Sequence, residues 1–123
     1  PDLCYKYATY LNKLGPKNAP SVIKWSEVAL ENKSRWDGAT YKNRVYSLYK
    51  LRANAAAKMW GDAELEFARS NNDDAKKKRE KYRNQTKVMA REWYEYAKAA
   101  GKDPSKALEM CRSAAGTEDY CTN

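Results

Sequence analysis

Three cysteines, Cys4, Cys111 and Cys121, carry the most specific chemistry in this 123-residue sequence. None of their spacings is a CxxC or zinc pattern, and histidine is absent altogether, so no metal or cofactor is expected. The missing imidazole also removes every Ser-His or Cys-His nucleophile and any histidine pH switch. Cys121 lies in a short tail, Thr117–Asn123, that shows no periodicity and is expected to be irregular. A disulfide that ties this tail down is the natural role for it. Its partner stays open: Cys111 and Cys4 both qualify, Cys4 and Cys111 could instead join the first helix to the last, and one thiol is always left over.

The remaining candidates for chemistry are acids and cations. Glu27/Glu31, Asp62/Glu66 and Glu92/Glu95 stand at helical spacing, but a di-metal bundle also needs Glu-x-x-His motifs, so these read as surface acids. No Gly-rich phosphate loop, EF-hand loop or G-x-S-x-G is present, and no catalytic residue is assigned. The sequence therefore points to a binder and not an enzyme. The sequons Asn32-Lys33-Ser34 and Asn84-Gln85-Thr86 are about what chance supplies, and both fall inside predicted helices. The formal charge is +8, with 24 basic side chains against 16 acidic ones. Most of it is local. Lys76, Lys77, Lys78, Arg79, Lys81, Arg83 and Lys87 face Glu80 alone, a run of net +6, and Arg91 continues the same ridge. Cations at 76–79 go all round a helix, so that end is expected to project past its neighbours into water. Such a ridge fits an acidic protein surface or complex, or a heparin-like polyanion, with nucleic acid behind them because the rest of the chain is close to neutral.

These residues need helices to position them. Caps and breakers divide the chain into five: about 3–14, 20–36, 40–70, 74–100 and 104–115. Leu3, Tyr7, Tyr10, Leu11 and Leu14 form the predicted inner face of the first, which Gly15-Pro16 ends. Pro20 opens the second, with Val22, Trp25, Ala29 and Trp36 recurring on one side. Thr40 is the expected cap of the third. Its face runs from Tyr41 through Val45, Leu48, Tyr49, Ala55, Ala56, Met59, Trp60 and Ala63 to Phe67, and Gly61 marks a bend or a close crossing. Asp73 or Asp74 caps the fourth, where Ala75, Tyr82, Thr86, Met89, Trp93, Tyr96 and Ala100 fall on one stripe. Asp103-Pro104 starts the fifth, with Ala107, Leu108, Cys111, Ala114 and Ala115 inward. Strand signals are missing and the linkers are short. The reading is an all-α, single-domain antiparallel bundle of about five helices spanning residues 1–123.

Composition adds one tension. Leu, Ile, Val and Phe make up 14 of 123 residues, below the roughly 20% that warns of disorder. Ten Tyr and four Trp supply apolar area in their place, and 18 Ala let helices approach closely. Trp25, Trp36, Trp60 and Trp93 are accordingly assigned to the core. Arg52, mid-stripe between Leu48 and Ala56, is expected to snorkel to the rim; a buried acid is the less favoured alternative, and Glu66, on the same broad face, is close in projection but is not assigned to it. No apolar run is long enough to cross a membrane. The chain opens on Pro1 and not on methionine, from which a mature, secreted form with its signal peptide removed is expected.

A short all-helical chain, basic and aromatic-rich, with Cys4, Cys111 and Cys121 near its ends, resembles the small secreted salivary proteins of blood-feeding insects, in particular the anophensin-type family of anopheline mosquitoes. The resemblance implies inhibition of a host defence protease cascade, complement or contact activation and coagulation, by binding one of its protein complexes. Two other readings come from the residues alone: an intracellular nucleic-acid-binding protein using the 76–87 ridge, and a small-molecule carrier with an aromatic pocket.

Overall fold

The computed structural model describes residues 2–32 and 38–123 along the backbone, and the side chains of 3–32 and 43–123. Among the described residues there are six α-helices and no strand: α1 (Asp2–Lys13), α2 (Ala19–Glu31), α3 (Gly38–Ser70), α4 (Asp73–Ala99), α5 (Ser105–Ala115) and α6 (Asp119–Thr122). A 3₁₀ turn, Pro16–Asn18, links the first two. Each helix packs chiefly on the next in sequence, as short connections require of an all-α bundle. The predicted continuation of α2 to residue 36, with Arg35 and Trp36, lies outside the described residues, as does most of the first sequon.

The turn between α3 and α4 shows how local chemistry sets the architecture. Asn71 ends α3 in the left-handed region (φ 51°), and its N–H donates to the carbonyl of Phe67 at 2.8 Å. Asn72 is extended, and its side-chain oxygen accepts from the Ala75 N–H at 2.8 Å. Asn72, and not Asp73 or Asp74, is therefore the N-cap. The two aspartates stand in the first turn, where they complement the helix dipole. Two residues thus reverse the chain, and α4 runs back along α3.

Other boundaries also move. Thr40 sits inside the first turn of α3, which begins at Gly38. Helix α5 starts at Ser105. Asp103 accepts hydrogen bonds from the Ser105 N–H and hydroxyl, and these hold its carboxyl below the usual carboxylate range. Gly116 takes the left-handed conformation (φ 77°) that closes α5, its N–H donating to the Arg112 carbonyl. The tail is not irregular: Asp119–Thr122 form a helical turn with Cys121 buried. Four residues are too few to show a period, so no sequence pattern announced it.

The core is built from small residues where helices meet and from aromatic side chains where they diverge. Ala53, Ala55 and Ala56 of α3 are fully buried, and so are Ala90 and Ala97 of α4. Val22, Val45 and Leu48 are the large aliphatic side chains at its centre. The predicted α4 stripe is inward, with Ala75, Thr86, Met89 and Trp93 buried and Tyr82 and Tyr96 half-buried. Tyr96 stacks on Tyr49 at 5.1 Å between ring centroids. Of the described tryptophans only Trp93 is buried. Trp25 and Trp60 lie at the rim, the Trp60 indole donating to Glu64 at 3.0 Å.

Helix α1 departs furthest from its predicted orientation. It buries Ala8 and Leu11, while Leu3, Tyr7, Tyr10 and Leu14 are 79, 44, 57 and 51% exposed. The stripe next to the apolar one faces α2, where Ala8 allows close approach without side-chain bulk. Gly61 marks no close crossing: α3 continues through it, it is exposed, and a β-carbon there would meet nothing within 4 Å. Gly61→Ala is expected to stabilise the protein by about 1 kcal/mol, the propensity difference in a helix interior. A thermal melt that moves down would contradict this.

Candidate interaction surface

The basic run occupies the first turns of α4, and the hairpin turn at Asn71-Asn72 decides what it meets. It sets the end of α3 beside Lys78 and Arg79. Lys78 pairs with Glu66 at 3.2 Å. Arg79 reaches Glu64 at 3.9 Å and Glu80 at 3.3 Å, and its guanidinium lies 4.2 Å over the ring of Phe67. Arg83 pairs with Glu80 at 3.4 Å. The expectation that this end stands clear of its neighbours is thus corrected: acids of α3 line one side of it.

Further along, the ridge serves the fold. Lys87 and Arg91 lie 4.7 and 4.9 Å from the ring of Tyr120, clasping α6 against α4. Arg91 also pairs with Glu95 at 3.1 Å. Below Tyr120 the Cys111–Cys121 disulfide, with 6.0 Å between α-carbons, joins α6 to α5 and settles the pairing that the sequence left open. Cys4 is the free thiol, half-buried beside Leu3, Tyr7 and Trp25.

What remains of the eight candidate cations is a compact group. Lys76, Lys77 and Lys81 are exposed and have no ion-pair partner among the described residues, and Lys81 lies 5.6 Å over the ring of Tyr82. They look outward from a helix that is anchored on both sides by α3 and α5. No family model, curated protein or solved structure matches the chain.

Other features bear on the alternatives. No group of three or more potential metal ligands forms among the described residues. No described helix is long and apolar enough to cross a membrane. The apolar cleft beside Leu3, Cys4, Tyr7 and Trp25 has a volume of about 240 Å³, against the roughly 300–1,000 Å³ of typical ligand pockets. Thr86 of the second sequon is fully buried and donates to the Tyr82 carbonyl at 2.7 Å, whereas Asn84 is exposed.

Arg52 is the charged residue that the sequence misplaced. It does not snorkel. It is buried against Glu92 of α4, with Glu27 of α2 at 3.8 Å and its own guanidinium 5.5 Å over Tyr49. Glu27 and Glu92 are therefore not simply surface acids, and Glu66 belongs to Lys78. The exposed face of α1 is the second surface that was missed. A usable signal was in the sequence: residues 3–26 contain four lysines and no acid, which suits a wet, charged rim better than a buried helix.

Proposed function

We propose that this chain is an extracellular, non-catalytic binding protein that works by covering the surface of an acidic protein partner. Lys76, Lys77 and Lys81 are its docking cations. The observation that carries the reading is that no acid among the described residues pairs with them: Lys78, Arg79, Arg83 and Arg91 each meet a carboxylate and Lys87 is half-buried against Tyr120, while these three are exposed, Lys81 beside the Tyr82 ring. Rigid placement lets them steer a partner at little ordering cost. The Cys111–Cys121 bridge supports an oxidising compartment. The narrower target, a protein complex of a host defence protease cascade, follows from the resemblance to the anopheline salivary proteins.

The test is capture from plasma beside capture from a cell lysate, followed by kinetics on the captured partner. Lys76→Glu, Lys77→Glu and Lys81→Glu together should slow association about tenfold or more at low salt and leave dissociation nearly unchanged, because exposed charges act mainly on encounter. An unchanged association rate would sink the assignment. Retention on random-sequence DNA with no plasma partner would replace it with the nucleic-acid reading.

A further inference from the structure

From the geometry of α1 we infer a second, independent docking site, and its occupant is the surface of an anionic lipid bilayer. Leu3, Tyr7 and Tyr10 recur at steps of four and three residues on α1, and Leu14, in the turn that ends it, follows four residues on, so they form one apolar ridge. All four are exposed. Other large exposed apolar side chains, Leu65 and Val88, stand singly and need no explanation. Eleven residues separate the ends of the ridge, roughly 16 Å at the helical rise. Trp25 extends it sideways from α2, its ring edge-on to Tyr7 at 5.4 Å between centroids.

Charge selects the occupant. Lys13 projects along one flank of the ridge, and Lys24, 5.2 Å over the Trp25 ring, stands on the other. Lys17 is not counted, because it shares a cleft with Asp62 and Glu66. On α2 the nearest acids beyond Lys24 are Glu27, one turn on and 3.8 Å from Arg52, and Glu31, two turns on. A second copy of the chain would bring these lysines against their own equivalents in a protein that already carries +8. A bilayer containing anionic headgroups presents negative charge on both flanks at once. It also accepts leucines below the headgroups and tyrosine and tryptophan rings at their level, with lysines reaching back to phosphate. Because α1 packs chiefly on α2, it sits at the edge of the molecule, where such a surface can reach it.

The experiment is co-sedimentation of the whole chain with vesicles of phosphatidylcholine, alone or mixed with phosphatidylserine. Binding is expected to the mixed vesicles, to fall as salt rises, and to be weak on phosphatidylcholine alone. Leu3→Ser with Leu14→Ser, both at exposed positions, should lower the partition coefficient at least tenfold with unchanged circular dichroism. Lys13→Glu with Lys24→Glu should do the same, since each lysine near an anionic surface is worth about fivefold. The Lys76→Glu, Lys77→Glu, Lys81→Glu protein should retain most of the binding. Failure to bind mixed vesicles overturns the inference. Binding that survives the α1 changes but is lost with the α4 lysines also overturns it. So does a concentration-dependent dimer that Leu3→Ser with Leu14→Ser abolishes, since a second copy would then cover the ridge.

Discussion

Replacing Cys111 and Cys121 together by serine should lower the midpoint of thermal unfolding by about 10 °C. The bridge spans a sequence separation of 10. Closing so short a loop in the unfolded ensemble removes chain entropy worth about 2.7 kcal/mol at room temperature. Unfolding entropy near 2.1 cal/mol/K per residue, over a chain of this length, converts that into roughly 10 °C. The native side of the balance acts in the same direction. A helix of four residues cannot hold itself together, so α6 depends on the bridge and on the clasp of Lys87 and Arg91 over Tyr120. Amides of 119–122 should then exchange freely in the double variant, while those of α5 stay protected. Calorimetry with and without reductant checks the first expectation and hydrogen exchange the second. Cys4→Ser, which leaves the bridge intact, is the control. An unmoved midpoint under reducing conditions would mean that burial alone holds the tail.

How much could be read in advance depends on how each feature is specified. The inner stripe of α4 was legible because it repeats over many turns between two flanking partners. The face of α1 was not. Apolar spacing defines a stripe, but the choice of which stripe meets α2 fell to Ala8, whose small side chain permits the closer approach. The cap of α4 was ambiguous because Asn71, Asn72, Asp73 and Asp74 are all good capping residues. The left-handed turn at Asn71 makes the choice. The basic ridge was visible as composition, but its neutralisation was not, since Glu64, Glu66 and Phe67 come beside it only when the two-residue turn folds α3 back. The acids of Arg52 were out of reach of any local pattern. Glu66 shares a helix with it but lies fourteen residues away, roughly 21 Å along the axis. Glu27 and Glu92, on other helices, are the groups that touch it.

That placement of Arg52 produces an asymmetry that can be measured. Changing Glu27 and Glu92 together to alanine should cost about 3 kcal/mol, whereas Arg52→Met should cost about 1 kcal/mol or less. The difference lies in what is left behind. The Arg52 side chain is 10% exposed, while those of Glu27 and Glu92 are each 43% exposed. Without the acids, a guanidinium is held between α2, α3 and α4 with no counter-charge and without its hydrogen bond to Glu92. Its Nε already lacks a partner, and the stacking on Tyr49 offsets only part of the penalty. Without the arginine, the two carboxylates turn to solvent at small cost, and methionine fills most of the vacated volume with apolar contact to Tyr49. Urea unfolding of the three proteins decides the matter. Equal losses in both variants would mean that the pair contributes through direct attraction alone. A larger loss for Arg52→Met would mean that its stem and stacking, and not its charge, hold the three helices in register.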